Sequence, residues 1–222
     1  MNDDDVNDLV AVFNNDDPLH PDLEPYVHET GLGMRVLQHP LVYCVPYTHT
    51  SIANHAYLVK TLALQRARDE RSWQTYVWLH ERPYRLQALC EIEYEFDTDE
   101  EFWEMLRDVW MDSENVWQNF DDWVAFFSNL DNRAGMSALM SEEERVLLAA
   151  LPDRVTVYRG AVDGLNEDGI SWTLDQDRAV WFASRFNKGG EVFTRVVDKS
   201  EVVAYFTGRG EEEIVVCPRG GW

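Results

Sequence analysis

The chain has 222 residues, 45% hydrophobic and 13% aromatic, enough to bury a substantial core in one large domain or two small ones. No apolar run approaches the roughly 18 residues that span a bilayer, and MNDDDVND lacks the basic and apolar regions of a secretory signal, so a soluble, cytoplasmic protein with no membrane partner is expected. The net charge of -22 comes from two stretches, residues 1–30 with nine acids and no base, and 91–131 with fourteen acids against Arg107 alone; such a field repels nucleic acid and suits a partner with a basic surface.

Residues 1–34 mix Asp, Asn and three prolines with few apolar side chains and read as an acidic, irregular arm. Residues 35–97 read as a helical region with no legible role. Within it, Ile52, Ala56, Val59, Leu62 and Ala63 recur at helical spacing after Ser51, a candidate N-cap, and helices over Trp73–His80 and Pro83–Ile92 follow. Residues 98–150 carry three more helices: one opened by the pair Thr98 and Glu101, one through Val116, Phe120, Val124 and Phe127, and one opened by Ser141 and Glu144 and stopped at Pro152. Four tryptophans fall between 103 and 123, and their helical recurrence favours core packing over a binding face.

After Pro152 the texture changes to short β-branched or aromatic runs, VTVYRG, ISWT, VFTRVV, VVAYF and EIVV, which read as strands within 154–216. One helix interrupts them, with Asp175 as N-cap, Ala179, Phe182, Ala183 and Phe186 as its apolar face, and Gly189-Gly190 as its end. The fold class is α+β, with helices first and strands last. Cys44, Cys90 and Cys217 are scattered and odd in number, and the six histidines show no HExxH pattern, so neither a disulfide framework nor a metal site is expected.

The run Glu211-Glu212-Glu213 stands directly before Ile214-Val215-Val216. Strand alternation puts Glu211 and Glu213 on one face, about 6.6 Å apart, where two unit charges repel by roughly 2–3 kcal/mol at an effective dielectric near 20. Such a pair is tolerated if it is fully wet or if something positive arrives. A dinucleotide with a cationic nicotinamide qualifies: breaking its nicotinamide–ribose bond leaves positive charge on the sugar, which a carboxylate stabilises. A second carboxylate can then address an attacking group, while an arginine anchors the diphosphate.

In this respect the sequence resembles the mono-ADP-ribosyltransferases of the arginine-serine-glutamate clade. Tyr158, Arg159 and Gly160 in VTVYRG stand for the family's strand arginine, Ser171, Trp172 and Thr173 in GISWT for its Ser-Thr-Ser, and Glu211 and Glu213 for its Glu-x-Glu. The resemblance implies a split β-sandwich of two small facing sheets, with residues 98–222 as the transferase-like domain, NAD as co-substrate and no metal. It further implies that Arg159 grips the phosphate and ribose, that Ser171 holds the geometry around the catalytic Glu213, with Thr173 in support, and that Glu211 addresses the acceptor. Thr207, Gly208, Arg209 and Gly210 would form the turn that contacts the target, and Phe182 or Trp181 would pack near the nicotinamide.

Trp172 and Thr173 depart from the second and third members of the Ser-Thr-Ser, and the tripled glutamate leaves Glu212 as an alternative acceptor-side carboxylate. The acceptor implied is a protein, with arginine as its modified residue, and short enzymes of this type point to a bacterial or phage effector. Two other readings stay open: NAD hydrolysis at the same residues, and an acidic binding protein that mimics nucleic acid and blocks a basic partner.

Overall fold

The computed structural model describes residues 17–114, 116–128, 135–162, 167–185, 189–210 and 212–217, apart from the Arg209 side chain. The chain forms two compact units, Met1–Glu95 and Phe96–Trp222, mixed in helix and sheet. Among the described residues no helix is long and apolar enough to cross a membrane.

The first unit departs from the expected arm and helical region. Pro21–Tyr26 forms a 3-10 turn, and β1 (Val27–Glu29), β2 (Arg35–His39) and β3 (Val42–Cys44) form a three-stranded antiparallel sheet. The described part of the arm is therefore ordered: Leu23 is fully buried and packs with Leu37, Leu41, Val42, Tyr47 and Ala53. Each of these strands carries a single β-branched residue among mostly charged, polar or aromatic neighbours, so β1 read as part of the irregular arm and β2 and β3 as part of the helical region.

Helix α1 spans Thr50–Asp69. Its N-cap is His49 rather than Ser51, which lies inside the first turn and is buried. α2 covers Trp73–Leu79. The segment after Pro83 is a 3-10 turn, Arg82–Tyr84, before α3 (Arg85–Glu91), since the proline offers no N–H.

In the second unit, α4 (Asp99–Asp112) opens where the Glu101 amide donates to Thr98 Oγ1 at 3.3 Å. A 3-10 turn, Val116–Asn119, precedes α5 (Phe120–Ser128), so the continuous helix expected from Val116 begins only at Phe120. α6 (Glu142–Ala150) carries the full reciprocal capping box of Ser141 and Glu144. Next come β4 (Arg154–Ala161), β5 (Ser171–Thr173), α7 (Gln176–Ser184) capped by Asp175, β6 (Glu191–Asp198), β7 (Val202–Phe206) and β8 (Glu213–Val216).

These strands make one antiparallel sheet in the order β6-β4-β5-β8-β7, where two facing sheets were expected. β5 joins the halves by pairing with β8 over three residues and with β4 at Tyr158↔Thr173, the single registered pair of that seam among the described residues. One face buries Val155, Val157, Trp172, Val197, Tyr205, Ile214 and Val216 against Leu148 and Leu151 at the end of α6. The opposite face meets the aromatic side of α4, where Trp110 lies 6.4 Å from Phe206 by ring centroids.

Candidate active site

Directly opposed residues of antiparallel strands share a face, so the pairings Tyr158↔Thr173, Thr173↔Glu213 and Phe206↔Glu213 put four side chains in one row across the sheet. Ser171, two residues before Thr173, lies on the same face. Its Oγ donates to Glu213 Oε1 at 2.5 Å, and Trp110 Nε1 donates to Glu213 Oε2 at 3.2 Å. Glu213 is buried, with 8% exposure, so water does little to hold this carboxylate and the two donors hold it instead.

Arg159 starts from the other face, since it alternates with Tyr158. Its guanidinium nevertheless comes to the Ser171 backbone, where Nη1 donates to the carbonyl oxygen. Gly169 makes this path possible, because a Cβ there would overlap the guanidinium carbon and Nη2. Burial pulls the Arg159 guanidinium down to about 10, with Glu213 opposing the shift, so it stays cationic at neutral pH. A cation from β4 and a carboxylate from β8 thus converge on one residue of β5, at the seam tied by one pair.

The remaining expected residues divide. Tyr158 is half-buried on the glutamate row, and Gly160 lies under α7, where a Cβ would overlap the Ala179 carbonyl and the Ala183 amide and come 2.9 Å from Phe182 Cβ. Thr173 faces Glu213 across the strands, while its Oγ1 accepts from the Asp175 amide at 3.1 Å and so serves the start of α7. Trp172 stands apart: it lies in the core of the opposite face and its Nε1 donates to the Gly169 carbonyl at 2.7 Å. Phe182 is half-buried on α7, and Trp181 is half-exposed between Arg178 and Arg185, both within 6 Å of its ring centroid.

Of the glutamate run, Glu211 lies outside the described residues, as does Phe186 of the expected helix face. Glu212 is exposed; its carbonyl accepts from the Leu174 amide, and its carboxylate meets Tyr205, whose phenol is raised by burial first and by Glu212 second. Tyr205 belongs to the opposite face, so of Glu212 and Glu213 it is Glu213 that meets Ser171.

Three supports were not foreseen. Trp110 was read as packing alone, and it does pack, 4.9 Å from Trp123 and 5.2 Å from Phe127, but nothing in its helical spacing announced a carboxylate partner. Glu144 was visible only as the third residue of a capping box. It is fully buried and also accepts from Arg107 at 3.1 and 3.2 Å and from the Thr207 amide at 3.0 Å, which fixes the start of the 3-10 turn Gly208–Gly210. Burial would raise its carboxyl, but the Thr207 and Ser141 amides and then Arg107 outweigh it and hold the group below the ordinary carboxylate value. The other end of the turn is tied by Arg178 Nη2, which donates to the Gly210 carbonyl at 3.2 Å.

A cleft of about 510 Å³ opens beside Arg107, Ser141 and Arg145, and none of the residues expected at the site lines it. Its Arg145 is committed to the Ser137 and Met140 carbonyls and to Glu142, so the chemistry points to Glu213 and not here. Among the described residues no group of His, Cys, Asp or Glu is placed to hold a metal ion. Comparison with protein-family models, curated proteins and solved structures gave no match to this chain.

Proposed function

We propose that the protein is a mono-ADP-ribosyltransferase that cleaves the nicotinamide–ribose bond of NAD and transfers ADP-ribose to a protein acceptor, with arginine as the acceptor side chain. The observation that carries this reading is the convergence at Ser171: its hydroxyl holds Glu213 at 2.5 Å while its carbonyl receives the Arg159 guanidinium. A dinucleotide needs a fixed cation for its diphosphate and a fixed carboxylate for a sugar that becomes positive, and Arg159 and Glu213 supply these two charges side by side. The β4–β5 seam, tied at one registered pair, supports an opening in the sheet of the kind a split transferase sheet has.

In the proposed step the ribose–nicotinamide C–N bond breaks and its electron pair leaves with the nicotinamide, which departs neutral. The lone pair of the acceptor nitrogen forms the new C–N bond, and its proton passes to a carboxylate of the 211–213 run or to water. The net charge of -22 supports an acceptor with a basic surface; the cytoplasm of a bacterium or of a phage host is the compartment that goes with this reading.

The test is incubation of the protein and a cell lysate with NAD labelled in its adenylate half. Nicotinamide release and label on protein are both expected, and both are expected to fall about 10²–10³-fold in Glu213→Gln, the scale on which removing one transition-state stabiliser acts. Label recovered only as free ADP-ribose assigns NAD hydrolysis at the same residues. An absence of nicotinamide release rejects the enzymatic reading in favour of the acidic mimic, which the exposed Glu100, Glu101, Glu104 and Asp108 of α4 support.

A further inference from the structure

Trp110 and Trp123 sit edge to face in one aromatic cluster, both fully buried, at an interplanar angle of 89°. They differ in what their N–H groups meet. Trp123 Nε1 is buried with no hydrogen-bond partner among the described residues, whereas Trp110 Nε1 reaches Glu213 Oε2. A buried donor without a partner is costly, and Trp110 avoids that cost only through Glu213.

We infer that Trp110 is a positioning residue of the site, which fixes the plane of the Glu213 carboxylate for the reaction. The role rests on reading Glu213 as the catalytic carboxylate. Three properties of the indole suit it. It is donor-only, so it cannot compete with the carboxylate as an acceptor for a substrate hydroxyl. It is neutral, so it favours the anion without cancelling its charge, as an arginine would. It is also immobile, boxed by Trp123, Phe127 and Phe206 at 4.9, 5.2 and 6.4 Å. The Ser171 hydroxyl can rotate and accept as well as donate, so the fixed direction comes from α4.

The test compares Trp110→Phe with Trp123→Phe. Trp110→Phe is expected to lower kcat for nicotinamide release about 10- to 100-fold, the worth of one hydrogen bond to a charged group. KM for NAD should be unchanged, and the acid limb of the pH–rate profile should move to higher pH. Trp123→Phe keeps an aromatic ring against Trp110 and removes no hydrogen bond of the site, so kcat should fall far less than in Trp110→Phe while KM and the acid limb stay in place.

If Trp110→Phe does not fold, benzothienylalanine at 110 replaces the N–H by sulfur in the same ring shape and carries the same expectations. An active wild type whose Trp110 substitutions alter neither kcat nor the acid limb overturns the inference and leaves the proposed function standing. A wild type that releases no nicotinamide overturns both. Independently of turnover, the indole N–H proton resonance of Trp110 should move in Glu213→Ala; if it stays in place, the contact and the role built on it are overturned.

Discussion

Ser171 carries two unlike duties within one residue, a hydroxyl that donates to Glu213 and a carbonyl that accepts from Arg159. The arginine's charge is the less secure partner, because burial brings its deprotonation to about 10. The activity is therefore expected to fall as pH rises through about 10, and Ser171→Ala should leave that alkaline limb in place, since the carbonyl is backbone. A pH–rate profile of nicotinamide release checks this. At this scale Arg159, Ser171 and Glu213 were singled out by the resemblance of their strand motifs, and the structure brings the three together. Trp110 and Glu144 were not, because a helical period reports which side of a helix is buried and says nothing of the polar atom a buried side chain meets 103 or 63 residues away.

Helix α7 rests on β4 at Gly160, and its cap is tied back to β5 through Thr173 Oγ1 and to the Gly208–Gly210 turn through Arg178. Gly160→Ala would press a methyl into the backbone of α7 at Ala179 and Ala183, which cannot swing aside as a side chain does. A loss of about 1–3 kcal/mol in stability is expected, the usual cost of overpacking, measured by denaturant unfolding, with activity falling because Phe182 and the turn shift together. The long helices α1, α4, α6 and α7 were legible from apolar spacing and caps, as were β4, β6, β7 and β8 from β-branched runs. β1, β2 and β3 were not, because each carries a single β-branched residue among mostly charged, polar or aromatic neighbours. The joining of the last five strands into one sheet was hidden too, since it turns on β5, a strand of three residues.

Across the whole chain, the two units should respond to acid in different pH ranges. In the first unit His39 and His80 are buried and lowered from the ordinary 6.5, chiefly by burial. Asp22 raises His39 while His80 lowers it. His80 is raised by the Tyr76 carbonyl and Glu91 and lowered by Lys60. The unfolded chain thus takes up protons at these groups before the folded one does, so their contribution to stability is present above 6.5 and is lost as pH falls below it. In the second unit Glu144 is held below the ordinary 4.5, so its contribution is present above 4.5 and is lost only as pH falls through its lowered value. Amide hydrogen exchange followed from pH 7 downwards is expected to lose protection first in β2, α2 and α3, and later in β4 to β8. Composition revealed two charge blocks and a core large enough for two units, yet it read residues 17–34 as irregular, because acidic and prolyl residues there surround a few anchors such as Leu23 that do the packing.

The seam between β4 and β5 leads to one more consequence. Where the strands are stitched at a single rung, the Arg159 guanidinium bridges the gap to the Ser171 carbonyl. In the proposed function, the joint tied by one registered pair among the described residues and the cation that would hold a visiting anion therefore share the Arg159 guanidinium. On that reading, grip on the guest and cohesion of the scaffold would rise and fall together, and a change that loosened one would not spare the other.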